Sequence, residues 1–305
     1  MAKKALEPEL LLQHISGLDS LEPCICAGGF GWVYPATIKG TKEALKVIKI
    51  DRIDDPTIES DLIEAFIKEQ ISRVRREVDA LNKCKVAELV KLGAIDICEF
   101  DVGEDKYLAF SEEFLEGCDL RKLILQRYSP DLNEITSLFR SLLRCIEDLW
   151  SNGYIHRDIK PGNVIKTLDK SRPFVLLDLG IAYAVYETSI TYKASERMPI
   201  ATYRYLAPEM LQPDFRDRID YRSDLYTTGL TVFEFAAGQH PLARDSDDMI
   251  RTISRALRQP PKSLKQYRPD LPEGLCDLVD GMLKKKPALR PANIEMLFKK
   301  LEVMS

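Results

Sequence analysis

The chain has 305 residues, of which 45% are hydrophobic and 30% charged, a composition typical of a soluble globular protein with two packed lobes or domains. Its 44 Lys and Arg against 48 Asp and Glu give a net charge of −4, which is too balanced to indicate a nucleic-acid-binding or membrane-surface protein. Seven scattered cysteines without a CxxC pair argue against a disulfide framework or a zinc site, and the lack of a membrane-spanning run or signal peptide predicts a cytoplasmic location.

The first half of the chain is predicted to contain short strands and one long helix. Strand-like alternation of apolar residues occurs over 25–33, 44–50, 91–97 and 107–112. Over 63–81, apolar residues recur at steps of three or four, which is the spacing of a single helix face. We therefore expect a strand-rich small lobe that contains this helix.

The second half is predicted to be mainly helical. Its most regular segment, 135–150, places apolar residues on one helix face, and Asn152 and Gly153 supply a C-terminal stop. The change from strand to helix falls in EEFLEGCDL, residues 112–120, which we take as the boundary between the two lobes.

The stretch ICAGGFGWVY, residues 25–34, is rich in glycine. Glycine adopts positive φ and lets another group approach the main chain, so it suits two different structures. One is an ordinary tight hairpin, and the other is a loop whose backbone comes close to a phosphate. A short glycine motif does not decide between them.

Four polar residues with complementary chemistry follow the helix of the second half. YIHRDIKPGNVIK contains Asp158, Lys160 and Asn163, and Asp178 follows an apolar run in LLDLGIA. Asp and Asn offer the hard oxygen ligands that Mg²⁺ prefers, and Lys160 offers a mobile positive charge. Each residue alone is explained by a surface turn, but phosphoryl transfer needs a metal, cations and a carboxylate that orients the attacking hydroxyl. The set in this order predicts that chemistry.

With these motifs the chain resembles the eukaryotic-like protein kinase family, and most of all its bacterial Ser/Thr members, over about residues 18–301. The resemblance implies an α+β, bilobal kinase fold, with a small antiparallel sheet and an αC helix followed by a larger, mainly helical lobe. It divides the chain into an N-terminal segment (1–17), a small lobe (about 18–114) and a large lobe (about 115–303). The implied reaction moves the γ-phosphate of ATP, with Mg²⁺ or alternatively Mn²⁺, to hydroxyls of protein substrates.

The motif HRDIKPGN resembles the catalytic loop of the family, which implies that Asp158 accepts the substrate hydroxyl proton and that Asn163 binds metal. DLG carries Leu179 where the family usually has Phe, and it leaves Asp178 to bind Mg²⁺. EALKVIK is similar to the strand whose lysine, here Lys46, contacts the α- and β-phosphates of ATP.

Further motifs extend the resemblance through the second half. YLAPE ends the activation segment at Glu209, SDLYTTG supplies Asp224 to brace the catalytic loop, and LRP supplies Arg290 as the salt-bridge partner of Glu209. Lys160 and Thr202 resemble the Ser/Thr-kinase pattern, in which both contact the catalytic aspartate.

The glycine stretch resembles the phosphate-covering loop of the family. Cys26 stands where the first glycine is usual, either as a small buried residue or as a reactive thiol over the ribose side of the nucleotide. The ATP-binding residues implied in this part of the chain are Ile25, Cys26, Ala27, Gly28, Gly29, Phe30, Gly31, Val33, Ala44 and Lys46.

The long helix carries the residue expected to pair with Lys46. RREVDALNKC aligns with the αC segment and gives Glu77, and Glu69 is the alternative. Because the interval from Lys46 to Glu77 is longer than usual, we expect the helix to extend past the usual αC. Its first turns, with Ile63 and Ile67, would then contact a regulatory protein or the N-terminal segment.

The hinge of the kinase fold is assigned to EEFLEG. The resemblance implies that the main chain of Glu113 and Leu115 meets the adenine edge and that Asp119 reaches the ribose. This alignment places Glu112 at the gatekeeper position, where an apolar residue is usual. Glu112 would then compete for Lys46 or contact the adenine amino group, unless the register is off by one.

Regulation by autophosphorylation is also implied. In the family, the arginine at the position of Arg157 commonly receives a phosphate from the activation segment, and Ser195, followed by Thr191, is the expected site. The alternative function is a pseudokinase scaffold that binds nucleotide without transfer, which only Glu112 and Cys26 favour.

Overall fold

The structure is a computed structural model, and it describes residues 5–28, 31–51, 59–179, 183–184, 203–212, 219–244 and 246–303. The chain divides into two compact units. The N-terminal unit holds the described residues up to Lys83 together with Val90–Leu115. The C-terminal unit holds Cys84–Leu89 and the described residues from Glu116 onward.

A short helix, α1, Pro8–His14, lies at the start of the N-terminal unit and has a proline in its first turn. Its residue Leu11 is completely buried, and Leu11 and Ile15 belong to one apolar cluster with Tyr34. The Tyr34 hydroxyl also donates to the carbonyl oxygen of Leu6 (2.9 Å). The segment predicted to precede the kinase domain thus contributes side chains to the core of this unit.

The described part of the N-terminal unit contains a six-stranded antiparallel sheet. Its strands are β1 Leu18–Leu21, β2 Cys26–Gly28, β3 Gly31–Ile38, β4 Thr41–Ile50, β5 Cys98–Val102 and β6 Asp105–Glu113. They lie in the order β1-β3-β4-β6-β5, and β2 pairs with β3. Lys39 and Gly40 both have positive φ (51° and 76°), which gives the β3–β4 hairpin a turn that matches the twist of its strands.

Residues 91–97 do not form the strand predicted for them. The segment contacts β6, where Ser111 N–H donates to the carbonyl oxygen of Ile95 (2.9 Å). However, the buried carboxylate of Glu43 accepts the backbone N–H of Ala94 (2.9 Å). Because a side chain takes the place of a strand partner here, the ladder is interrupted and β5 begins only after this segment.

The long helix is α2, Ser60–Lys83, which slightly exceeds the predicted 63–81 at both ends. Its buried residues, including Val74, Val78 and Leu81, are confined to the second half of the helix. Tertiary contacts therefore stabilise mainly the part of α2 that carries Glu77.

Among the residues that the structure describes, the C-terminal unit contains most of the helices. These are α3 Leu120–Leu125, α4 Leu132–Ser151, α5 Tyr221–Ala237, α6 Met249–Arg258, α7 Glu273–Met282 and α8 Ile294–Glu302. Short strands accompany them: β7 Gly117–Asp119, β8 Tyr154–Ile155, β9 Val164–Thr167, β10 Phe174–Leu176 and β11 Tyr183–Ala184. Strands β7, β9 and β10 form one antiparallel sheet, and β8 pairs with β11.

Helices α4 and α5 pack against each other in the core of this unit. Helix α4 begins with a capping box, in which Asp131 accepts the N–H of Glu134 (2.8 Å) and Glu134 accepts the N–H of Asp131 (3.1 Å). It ends before Asn152 and Gly153, as predicted, and Gly153 has φ +80°. Helix α5 is buried along nearly its whole length. No helix within the described ranges is both long and apolar enough to cross a membrane.

Candidate active site

Lys46 lies in the middle of β4, on the side of the sheet that contacts α2. Its ammonium nitrogen is 2.9 Å from Oε1 of Glu77, a buried residue of α2. The alternative partner, Glu69, instead accepts a hydrogen bond from the guanidinium of Arg76 (3.0 Å). The structure therefore brings Glu77, and not Glu69, to Lys46.

A second carboxylate reaches the same ammonium. Strand β6 places Glu112 opposite Ala44 and Phe110 opposite Lys46, so all four side chains share one face of the sheet. Glu112 is only 3% exposed, and its Oε1 is 2.9 Å from Lys46 Nζ. Of the two roles considered for Glu112, contact with Lys46 is the one that the geometry shows.

The described part of the glycine-rich stretch lies on β2 and β3, which pair antiparallel with Gly28 opposite Gly31. Gly31 has φ +142°, and a Cβ there would lie 2.2 Å from the carbonyl oxygen of Val47. Only glycine fits so close to β4 without moving the backbone. Gly29 and Phe30, expected at the tip, lie outside the described residues, and contact with phosphate stays a prediction.

Cys26 is exposed, so the interpretation of this residue as a small buried side chain is wrong. It lies opposite Val33, and the neighbouring Ile25 N–H donates to the carbonyl oxygen of Val33 (2.9 Å). Both Ile25 and Cys26 thus present side chains to solvent at the start of β2. The other predicted ATP-binding residues of this region lie on β2, β3 and β4: Ala27, Val33 and Ala44.

The predicted hinge begins where β6 ends. Glu113 N–H donates to the carbonyl oxygen of Lys91 (2.9 Å), and the Glu113 carboxylate accepts the Lys91 N–H (2.8 Å). These bonds fix the backbone just before Leu115. Asp119 caps α3 by accepting the N–H of Lys122 (2.8 Å). Its contact with ribose stays a prediction.

The loop between β8 and β9 brings three predicted catalytic residues together. Asp158 is 3% exposed, and its Oδ2 accepts a hydrogen bond from Lys160 Nζ (2.6 Å). Asn163, at the end of a 3₁₀ turn, donates to the carbonyl oxygen (2.9 Å) and to Oδ2 (3.0 Å) of Asp158. The other carboxylate oxygen of Asp158 is buried and accepts no hydrogen bond from the residues that the structure describes.

Two buried side chains hold the backbone of this loop. The Asp224 carboxylate accepts the N–H groups of His156 (2.7 Å) and Arg157 (2.8 Å). His156 Nδ1 accepts the N–H of Asp158 (3.2 Å), so the ring proton is on Nε2. Nε2 lies 3.1 Å from the carbonyl oxygen of Leu177, to which it donates. His156 was part of a quoted motif but not a predicted site residue, and its position two residues before Asp158 was the signal.

Burial shifts the ionisation of these groups. Burial raises the pKa of Asp158 to about 6 and that of Asp224 to about 7, because loss of water disfavours a charged carboxylate. Lys160 acts in the opposite direction on the pKa of Asp158. Burial lowers the pKa of His156 to about 4, so this imidazole is neutral at pH 7.

Asn163 and Asp178 are the predicted metal ligands, and their surroundings fit a hard cation. The Leu177 N–H donates to the carbonyl oxygen of Asn163 (2.8 Å), which links the residue before Asp178 to the catalytic loop. The charge of Asp178 raises the pKa of Asp158, so the two carboxylates influence each other. Since the Asn163 amide nitrogen faces Asp158, its amide oxygen is the atom that suits Mg²⁺.

The pair expected between Glu209 and Arg290 is present. It is bidentate, with Nη1–Oε1 and Nη2–Oε2 distances of 2.6 and 2.7 Å, and Arg290 is 3% exposed. The guanidinium also donates to three backbone carbonyl oxygens, those of Arg222, Lys284 and Lys285.

The sequence interpretation missed one buried cluster near α3. Glu234 of α5 is 1% exposed and accepts hydrogen bonds from the Tyr205 hydroxyl (2.6 Å) and from Arg121 Nη1 (3.2 Å). A glutamate between two phenylalanines in a buried helix was the signal, because a buried carboxylate needs partners.

Besides Gly29 and Phe30, three predicted residues lie outside the described residues. They are the catalytic candidate Thr202 and the phosphorylation candidates Ser195 and Thr191. Their roles stay predictions.

A family model described as "Protein kinase domain" matches residues 21–301. The chain is also similar to a probable serine/threonine-protein kinase of Clostridium acetobutylicum (26% identity over 292 residues), to serine/threonine-protein kinase PknA of Mycobacterium tuberculosis (27% over 278) and to serine/threonine-protein kinase PrkC of Bacillus subtilis (25% over 281). These alignments cover 94%, 90% and 91% of this chain but 40%, 58% and 39% of the relatives. The chain therefore spans about two to three fifths of the length of these curated relatives.

The match extends over most of the chain, from the sheet of the N-terminal unit to the last helix of the C-terminal unit. It confirms the predicted α+β kinase fold. The chain belongs to the protein kinase family.

Proposed function

We propose that this chain transfers the γ-phosphate of ATP to serine or threonine hydroxyls of protein substrates. The observation that carries the proposal is the buried carboxylate of Asp158. One of its oxygens is held by Lys160 and Asn163, and the other accepts no hydrogen bond within the described residues. A carboxylate held in this way can accept the proton of a substrate hydroxyl as the hydroxyl attacks.

The other site residues supply charge and position. Lys46, held by Glu77, is the cation that contacts the α- and β-phosphates, and Lys160 is the cation near the transferred group. Asn163 and Asp178 would hold Mg²⁺, which neutralises phosphate charge when it is bound. The serine/threonine-kinase names of the relatives support the class of substrate.

Three finer assignments belong to the same proposal. We place autophosphorylation at Ser195 or Thr191, with Arg157 receiving the phosphate, and a regulatory protein at the first turns of α2. Leu62 in those turns is 56% exposed, which supports a contact surface there. The cytoplasmic location is kept as a prediction that fractionation of cells would test.

The test is incubation with labelled ATP, Mg²⁺ and a generic basic protein, followed by phosphosite mapping. We expect label on serine and threonine, and Asp158→Asn should reduce transfer by about 100-fold or more, because it removes the proton acceptor without changing volume. The matched control is Asp169→Asn, an exposed residue that caps a surface turn at Ser171 and should leave the rate unchanged. Near-normal transfer by the Asp158 variant, or no transfer by the unchanged protein, would contradict the proposal.

A further inference from the structure

Lys46 is shared by two buried carboxylates, and one would be enough to hold it. Its ammonium is 2.9 Å from both Glu77 and Glu112, and the side chains of the three residues are 16%, 6% and 4% exposed, respectively. When all three are ionised, the cluster carries one positive and two negative charges. Excess charge in such a poorly hydrated place is costly, so it calls for an explanation.

The two carboxylates reach Lys46 from different elements. Glu77 is on α2, and Glu112 is on β6 beside Phe110, whose ring centroid is 5.5 Å from the Lys46 ammonium. The ammonium donates a hydrogen bond to Glu77, whereas its contact with Glu112 is an ion pair in which Oε1 of Glu112 accepts no aligned hydrogen bond from the described residues. Any further anion that approaches Lys46 must share it with both carboxylates.

We propose that Glu112 competes with the phosphate groups of the nucleotide for Lys46, and so weakens the binding of phosphorylated nucleotides relative to the bare nucleoside. The inference rests on the proposed function, in which Lys46 contacts the phosphates. Each phosphate brings negative charge to a cluster that is already negative, and Coulomb repulsion in a poorly hydrated site falls only slowly with distance. Glu112 is thus a specificity-determining residue, which sets how strongly Lys46 attracts phosphate.

The competing role for Glu112, acceptance of a hydrogen bond from the amino group of the base, has a different signature. It would strengthen the binding of every adenine compound, with or without phosphate. Comparison of a nucleoside with its diphosphate therefore separates the two roles.

The test is titration of the purified full chain with ADP, with adenosine and with inorganic tripolyphosphate. Glu112→Gln keeps the volume of the side chain but removes its charge. We expect ADP and tripolyphosphate to bind about 10-fold more tightly, the change that corresponds to about 1.4 kcal/mol, and adenosine to bind with unchanged affinity. Glu112→Met, an apolar side chain of similar length, should give the same gain if the amide of Gln perturbs the fold.

Two controls isolate the contact with Lys46. Glu99→Gln removes the same charge from a half-exposed residue of β5 that pairs with Arg75 (3.0 Å), and it should change none of the three affinities. In a Lys46→Met background, Glu112→Gln should produce no gain, because the competition needs the lysine.

Unchanged or weaker ADP binding by both Glu112 variants would overturn the inference. A gain that persists without Lys46, or a loss of adenosine binding, would overturn it as well. These measurements report binding and not transfer. A failure of the inference is therefore distinguishable from a failure of the proposed function, which shows itself as the absence of phosphoryl transfer by the unchanged protein.

Discussion

Asp224 determines backbone geometry in a loop far from it in sequence. Each of its carboxylate oxygens accepts one backbone N–H, from His156 (2.7 Å) and from Arg157 (2.8 Å). Arg157 has φ +69°, a left-handed conformation that is unusual for a residue with a side chain. The two bonds offset the cost of this conformation and place Asp158 immediately after it.

Asp224→Asn should therefore lower both stability and rate. The amide presents an NH₂ group to one of the two N–H donors, so one buried donor loses its acceptor, at a cost of about 1–3 kcal/mol. Urea unfolding measures the stability, and transfer to a basic protein measures the rate.

Asp248→Asn is the matched control for this change. Asp248 is exposed and caps α6 by accepting the N–H of Arg251 (2.7 Å), and asparagine caps helices as well as aspartate does. Equal losses of stability and rate in the two variants would mean that the two hydrogen bonds of Asp224 contribute no more than an ordinary helix cap.

At the scale of elements, helix α1 joins the N-terminal unit through one side of the helix. Leu11 is fully buried in the same cluster as Tyr34 and Phe100, and His14 stacks on Phe100 with the ring centroids 5.5 Å apart. The next residue, Leu12, is 40% exposed. The helix therefore has a clear inner and outer face.

This difference predicts unequal effects for two adjacent leucines. Leu11→Ala should lower the free energy of unfolding by about 2–4 kcal/mol, because it leaves a cavity in a packed cluster. Leu12→Ala should change it by less than about 0.5 kcal/mol, as is usual at exposed positions. Urea denaturation of both variants is the measurement, and equal effects would show that α1 does not pack as described.

Periodicity predicted α2 and α4 because each repeats apolar residues at helical spacing over several turns. It did not predict α1, whose seven residues are too few to establish a period. It failed at 91–97 because strand-like alternation does not reveal that the Glu43 carboxylate takes the Ala94 N–H. Local pattern thus identifies long elements and misses interruptions that a distant side chain causes.

At the scale of the whole chain, motif spacing predicted which residues the structure brings together within each unit. Lys46 meets Glu77, and Asp158 meets Lys160 and Asn163. The sequence offered contact between Glu112 and Lys46 as one of two alternatives. It could not decide between them, because the contact depends on the register of β6 against β4.

Arg290 joins segments of the C-terminal unit that are distant in sequence. Arg290→Lys should lower the free energy of unfolding by about 2 kcal/mol or more, since a lysine cannot reproduce the bidentate pair with Glu209 or bind several carbonyl groups at once. Arg251→Lys, at a side chain that is 70% exposed, is the control and should be nearly neutral. Thermal and urea unfolding of the two variants compare them directly, and a neutral result at Arg290 would refute the prediction.

The order of strands in the N-terminal sheet has a consequence for how this unit forms. Strand β4 pairs with β6, although the whole of α2 lies between them in the chain. During synthesis, β1 to β4 emerge first and expose one edge of β4 until β6 follows. Such long-range pairing slows folding, because the loop must close before its contacts are gained. We therefore expect the N-terminal unit to fold cooperatively and only after β6 has been synthesised. Lys46 would then contact Glu77 and Glu112 only once β6 has paired with β4.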